Sequence, residues 1–531
     1  MKRLFTLLLV ALSVSACFEN DMPFPLVRPT LSSIEVDGAL SYEFDYANST
    51  LTLLMDETQD LTRVNIRSIT FGEEITRPLS DIVGVHDLTS PLSVSLRTYQ
   101  DHIWKIVAVQ TIERFISVKN QVGRATIDET NHRVLVTVSK TTSLSYVTVD
   151  SLKLGPRDIT AYSLDLKKLH DYQEPVELSV RYHDIEQLWH IYIEQSDKNI
   201  IINRISPWSG CTWIDASGLA GNANGARCRV KGEELWREAD SLVVDGGAFY
   251  ACFDSLSPLT CYEYLAYTGE EETEVEEFTT EGVGQLPNRG FETFAYAESD
   301  KYYSFYDPAS ANDSLKTKWW DNGNEGTAIA STYITYPVED VLDSLTGAYS
   351  VKLESANVII KFACGNLYSG EFAGLEGTKG GRVNYGRPFT LRPQKFICKM
   401  KYVCGNIDCI DGFPPDRPVQ LGEPDECKIF VALGTWDYKK YGGSKDCPVQ
   451  VNTTDDKTRF NPYGESVIAY GEYASKKSSG GWQTIEIPLI YQDYFTTPTH
   501  IIVSFAASAL GDYFTGSSGS RLWVDDVELV Y

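Results

Sequence analysis

Positive charge is what this chain has least of relative to its opposite. Against 73 Asp+Glu stand 47 Lys+Arg, a formal net charge of −26, and no basic run of any length occurs. A phosphate backbone would be repelled, which argues against nucleic acid as a partner. Long apolar runs are also missing. Beyond the N-terminal segment no stretch approaches the roughly 20 residues of a membrane helix. Histidine is scarce: there are 7, and none falls in residues 285–499. No Gly-x-Ser-x-Gly elbow, His-Glu-x-x-His zinc helix or phosphate loop is present, so hydrolases of those kinds are set aside. A glycosidase survives these exclusions. It needs only two carboxylates about 5 or 6.5–9.5 Å apart, and 73 acids supply such a pair by chance.

The beginning of the chain carries the first positive signal. Met1-Lys2-Arg3 is a basic start, Leu4 to Leu12 is nearly all apolar, and Val14-Ser15-Ala16-Cys17 is a small-residue site ending in cysteine. The apolar run is too short to span a bilayer and reads as a removed export signal. Val14-Ser15-Ala16-Cys17 resembles the lipobox of bacterial lipoproteins. The resemblance implies lipidation at Cys17, with residues 1–16 removed and 17–28 a lipidated linker; the alternative is an ordinary secretory signal with a chance cysteine. Several acyl chains would hold the protein firmly, at ~0.8 kcal/mol per buried CH2. Phe18-Glu19-Asn20-Asp21 resembles the acidic surface-export tag of glycan-foraging Gram-negative bacteria, against the alternative of a plain acidic linker. Outer membrane, lipid-anchored and facing the cell exterior, is the localisation expected.

Cysteine usage points to the same compartment. Cys17 aside, ten remain, and none precedes Cys211. Four (Cys211, Cys228, Cys252, Cys261) and six (Cys364, Cys398, Cys404, Cys409, Cys427, Cys447) form two even groups. Even groups suggest two and three disulfides in an oxidising compartment, with connectivity open. A zinc pair at Cys404 and Cys409 is the rival reading of their four-residue gap.

With 531 residues and 43% hydrophobic content, three or four domains are expected. Self-similarity appears at a period of about 83 to 85 residues. Leu51-Thr-Leu-Leu-Met55 aligns with Val134-Leu-Val-Thr-Val138, Val64 and Ile66 with Val147 and Val149, and Trp104-Lys-Ile106 with Trp189-His-Ile191. Period-2 alternation rich in β-branched residues means half-buried strands. Each copy is sandwich-sized and reads as an immunoglobulin-like domain, over 29–112 and 113–198. Trp104 and Trp189 are expected to fill cores. A third unit, 199–283, contains Leu256-Ser-Pro-Leu-Thr-Cys-Tyr262, which resembles the tyrosine corner of fibronectin type III domains. The resemblance implies that Tyr262 bonds back across the turn and that Cys211 and Cys252 point outward from neighbouring strands, the favoured disulfide. Three sandwiches without a flexible linker would form a rod.

From about Gln285 the texture becomes rich in Gly, Tyr and Trp. Asn288-Arg-Gly-Phe-Glu292, Trp320-Asp-Asn-Gly-Asn324, Gly386-Arg-Pro-Phe-Thr-Leu-Arg-Pro393, Trp482-Gln-Thr-Ile-Glu-Ile-Pro-Leu489 and Gly516-Ser-Ser-Gly-Ser-Arg-Leu-Trp-Val-Asp-Asp-Val527 follow in order. Together they resemble the putative carbohydrate metabolism domain of bacterial surface lipoproteins, which implies a jelly-roll β-sandwich over 284–531 similar to carbohydrate-binding modules. The whole chain is thus expected to be all-β: tandem immunoglobulin-like sandwiches followed by a larger jelly roll. The segment from Cys398 to Cys447 reads as a stapled insertion.

Sugars stack on flat aromatic faces flanked by polar groups. Alternation assigns Trp482 and Trp523 to strands and the core, and Trp320 to the family's tryptophan position. Trp319, Trp436, Tyr438 and Tyr441 are left as candidate sugar-stacking residues, the last three after a strand at Lys428 to Leu433. Asn288, Glu292 and Asp525 resemble the ligand set of calcium-containing jelly rolls, implying a structural calcium held by oxygen ligands. The function expected is non-catalytic glycan binding at the surface. The alternatives are an adhesin or assembly partner, such as a transporter or another surface lipoprotein, and a glycoside hydrolase.

Overall fold

A computed structural model describes residues 29–531 except 47, 73, 298–301, 359–360 and 415–416. Cys17 and its lipobox lie outside the described residues. The chain is all-β. Its α-helices, Asp313–Lys316, Asn324–Thr327 and Tyr438–Tyr441, have 4 residues each, and no described helix is long and apolar enough to cross a membrane. The chain divides into two compact units, one ending at Glu113 and including Pro156–Thr160, the other comprising the remainder to Tyr531.

In the first unit, a sheet ordered Ala39–Asp45, Thr50–Met55, Asp101–Gln110, Leu92–Arg97 and Arg77–Pro78 faces one of Leu31–Val36, Val64–Phe71 and Gly84–His86. Leu51, Leu53, Met55, Val64, Ile66 and Trp104 close the core between them. The second unit opens with a sandwich built the same way. Its larger sheet runs Thr126–Asp128, Arg133–Val138, Ile185–Gln195, Val176–Tyr182, Ala161–Tyr162. The repeat detected by alternation is also a repeat of pairing. In each copy the motif strand runs parallel to the tryptophan strand, Leu51 opposite Ile106 and Val134 opposite Ile191. Trp104 and Trp189 are both buried.

The third sandwich packs Ile201–Pro207, Thr212–Ser217, Ala248–Phe253 and Ser241–Asp245 against a sheet centred on Asn224–Val230 and Cys261–Thr268. Tyr262 Oη accepts the Ser257 N–H at 2.9 Å, the bond across the turn that the tyrosine motif implies. All ten cysteines of the described residues are free thiols, so the structure contains none of the expected disulfides. Cys211 and Cys252 do touch, and that contact is the main cause that raises the Cys252 thiol pKa. They lie on the outer side of the sheet, apart from the sandwich's own core, and are buried there by Trp208 and Tyr491.

The C-terminal sandwich has a larger sheet ordered Val449–Asn452, Gly380–Tyr385, Asn366–Glu376, His500–Ala506, Cys427–Gly434, Val467–Ser475, Ile490–Tyr491. The smaller one runs Thr335–Val338, Ser350–Glu354, Arg521–Val530, Lys395–Val403, Gln483–Pro488. Between them lie Phe291, Trp320, Val351, Phe396, Val431, Val503 and Val524. Cys398 and Cys427 belong to this core. The segment from Cys398 to Cys447 is therefore no separate insertion, since it contributes a central strand to each sheet. Trp482 and Trp523 are not in the core either. Leu522 and Val524 take the inner face, so Trp523 alternates outward. There it lies in a row across the strands, with Lys401 Nζ 4.2 Å and Lys352 Nζ 5.4 Å from its ring centre.

The third and fourth sandwiches meet through aromatic rings and one buried ion pair. Trp208 packs on Tyr491 at 4.4 Å and Trp213 stacks on Tyr494 at 4.3 Å. Arg392 pairs with Glu281 at 2.6 Å and also donates to Ser206 Oγ at 2.6 Å and the Pro207 carbonyl at 2.8 Å.

Candidate functional site

Strands covered on both faces read as unbroken apolar runs, and two central strands of the larger sheet do so. They are Cys427–Gly434 (CKIFVALG) and His500–Ala506 (HIIVSFA). Ile429, Val431, Val503 and Phe505 point into the core, while Phe430, Ala432, Ile502 and Ser504 point the other way. On that outer face the sheet floors a cavity of about 690 Å³. Hairpins and loops from 326–330, 372–383, 453–462 and 509–514 supply its walls.

The walls are aromatic. Phe430 stacks on Phe460 at 5.2 Å with 12° between planes, and Tyr470 lies 6.0 Å from Phe430. Tyr368 meets Tyr385 edge to face at 5.3 Å. Burial raises the pKa of Tyr368, Tyr385, Tyr470 and Tyr513, so all four stay protonated; Tyr368 donates to the Asn322 carbonyl and Tyr470 to Glu472. Polar groups are interspersed: Asn366, Ser504 and Thr453 line the space together with Lys361, Arg417, Lys428 and Arg459. Asp512 is the one carboxylate residue among the described lining residues.

The four aromatic residues singled out from sequence lie elsewhere. Trp436 is 5% exposed and offers no ring face to solvent. It packs edge to face on Phe460 at 6.2 Å, so it backs the cavity wall without lining it. Tyr441 is half-buried in the same cluster and shares a hydrogen bond with Ser466 Oγ at 2.9 Å. Tyr438 is exposed, on the short helix Tyr438–Tyr441. Trp319 turns toward the main core, 4.8 Å from Trp320, and does not join the other three. Phe430, Phe460 and Tyr470 were missed because alternation was used to find one buried face per strand. The doubly apolar runs were the signal that the second face is covered as well.

Of the residues expected to hold calcium, Glu292 lies near enough for its charge to act on Asp525. Asn288 and Phe291 turn the chain with φ of 49° and 54°, and Asp526 has φ of 43° in the last strand. The left-handed residue creates a bulge, so that Ile397 pairs with Glu528 but Lys399 with Asp525. The bulge brings the Arg289 carbonyl to the Val527 N–H at 2.9 Å. Asp525 is 1% exposed. Its Oδ1 accepts the Asp526 N–H at 2.8 Å, and its Oδ2 has no partner. Burial, and next the neighbouring Asp526 charge, push its pKa up to about 7. Asn288 has a different use. Its side chain closes the turn, accepting from the Thr293 N–H and donating to the Thr293 and Phe305 carbonyls. Glu292 Oε1 accepts the N–H groups of Ala348 and Tyr349. Among the described residues no group of three or more His, Cys, Asp or Glu is arranged to hold a metal.

Residues 290–530 match the family model of the Putative carbohydrate metabolism domain. No curated protein matches the chain. Among solved structures, the chain is similar to a putative glycoside hydrolase from Bacteroides thetaiotaomicron at 15% identity and TM-score 0.31. That match covers 78% of this chain and 95% of the other. A putative glycoside hydrolase from Bacteroides vulgatus matches at 20% identity and TM-score 0.33, over 45% of this chain and 96% of the other.

Proposed function

We propose that the protein is a surface lipoprotein whose C-terminal sandwich binds glycan without cleaving it, in the cavity on the outer face of the larger sheet. One observation carries the reading: a roomy cavity walled by Phe430, Phe460, Tyr470 and Tyr513 and, among the described residues, lined by one carboxylate residue, Asp512. Aromatic walls with a few placed polar groups suit the C–H-rich faces and hydroxyls of sugars. Cleavage of a glycosidic bond by the usual route asks for two carboxylates facing each other, and the described lining offers one. The family match of residues 290–530 to a carbohydrate-related domain points the same way. Affinity electrophoresis in gels carrying different polysaccharides tests it. Phe460→Ala should weaken retention by about tenfold, the scale of one lost ring contact. Retention unchanged by Phe460→Ala, or reducing sugar released on incubation, would overturn the reading.

The anchor is Cys17, whose position after Val14-Ser15-Ala16 supports lipid attachment and an outer-membrane, outward-facing location. Incorporation of a labelled fatty acid that survives Cys17→Ser would exclude it. A structural cation at Asp525 completes the proposal. The partnerless, buried Asp525 Oδ2 supports a hard cation there, and Glu292 is a nearby acid whose charge acts on it. Calcium there would offset the repulsion between Asp525 and Asp526. Asn288 serves by shaping the turn, its side-chain atoms being already committed.

A further inference from the structure

The charge of the cavity runs against that of the protein. In a chain of net charge −26, its described lining carries four cationic side chains, Lys361, Arg417, Lys428 and Arg459, against one described acid, Asp512. Each cation is steadied by an acid that does not line the cavity: Asp411, Glu426, Glu472 and Asp456 respectively. These partners use only part of the hydrogen-bonding capacity present. Lys428 Nζ meets Glu472 at 2.8 Å, one of three donors that an ammonium offers. Arg459 is the plainer case. Its guanidinium lies 4.3 Å from the centre of the Tyr513 ring, and Nη2 donates to the Thr453 carbonyl at 2.9 Å. Nε and Nη1 are buried beneath the surface of the recess. A cation lining such a recess binds an anionic oxygen by a charge-assisted hydrogen bond, stronger than one to a neutral group. The low-dielectric aromatic walls strengthen any such contact.

We infer that this cavity is built for an anionic sugar, one bearing a carboxylate or a sulfate ester, whose charged group is received on the side lined by Arg459 and whose ring faces lie against Phe460 and Tyr470. The inference rests on the glycan reading above and adds the charge of the ligand. A neutral glycan gains no charge-assisted bond from these cations. A polyanion contacting the outer surface at large meets the protein's own negative field, which favours recognition in this cation-lined recess.

Titration calorimetry on the full chain tests it with matched pairs of probes. One pair is an oligogalacturonate and its methyl ester; the other is a sulfated galactan oligosaccharide and its desulfated form. At low salt the charged member of at least one pair should bind about tenfold more tightly than its neutral partner, the scale of one charge-assisted hydrogen bond. Which pair shows the gap tells carboxylate from sulfate. The gap should shrink as salt is raised. Arg459→Gln and, as a more exposed second variant, Lys428→Met should each narrow it by weakening the charged member more than its neutral partner. Equal binding within both pairs, or a gap that both variants leave intact, would overturn the anionic assignment while the glycan reading stands. No binding by any of the four probes would count against both.

Discussion

Trp436 follows a strand and precedes a glycine-containing turn, a local sequence that places aromatics at rims. Its ring is nevertheless covered, and Gly434 is the reason. A Cβ at Gly434 would sit 2.7 Å from Trp436 Cζ2 and 2.4 Å from the Ser466 carbonyl oxygen. The missing side chain lets the indole fold back over the strand, against Val449, Val451 and Val467. The residue types were legible, but the direction of the ring depended on a space only the assembled sheet reveals. Trp436→Ala is therefore expected to destabilise the C-terminal sandwich by about 3–5 kcal/mol. A melting temperature unchanged in that variant, with glycan retention lost, would return Trp436 to the role of a rim ligand.

At the scale of the element, the last strand, Arg521–Val530, shows how one residue redirects a pattern. Strict alternation would send Asp525 and Asp526 to opposite faces, leaving one of them in water. The bulge at Asp526 instead steers its carboxylate to Lys399 Nζ at 2.6 Å while Asp525 stays sealed beneath the Asn288 turn. The acidic pair itself was legible, whereas the bulge that isolates the Asp525 Oδ2 was not visible, since Asp is compatible with either backbone region. Chelation should lower the melting temperature of this sandwich, and Asp525→Ala should abolish that sensitivity. Calorimetric melts that superimpose with and without chelator would remove the cation from the proposal.

For the molecule as a whole, the joint between the third and fourth sandwiches decides whether they behave as one body. Arg392 is buried at that joint, and its hydrogen bonds reach Ser206, Pro207 and Glu281 across it. Removing one member of a buried pair leaves the other charge uncompensated, at a cost of about 3–5 kcal/mol. Arg392→Ala should accordingly split a shared unfolding transition into two in calorimetry and open the joint to proteases. A single transition at the wild-type temperature would show that the rings of Trp208, Trp213, Tyr491 and Tyr494 hold the joint alone.

Alternation, repeat spacing and the tyrosine motif sufficed to read an all-β chain of successive sandwiches, because strand periodicity and turn chemistry are local properties of sequence. The partners of Trp104, Trp189 and Tyr262 followed from the same local rules. The cavity did not. Phe430, Tyr470 and Phe460 come from three separate segments, and Lys428 and Arg459 reach the same recess from beside Phe430 and Phe460. Their convergence depends on the order of strands in the larger sheet and on loops folding over its outer face. Long-range pairing of that kind is chosen by the total burial of two sheets, a quantity no single stretch of residues contains.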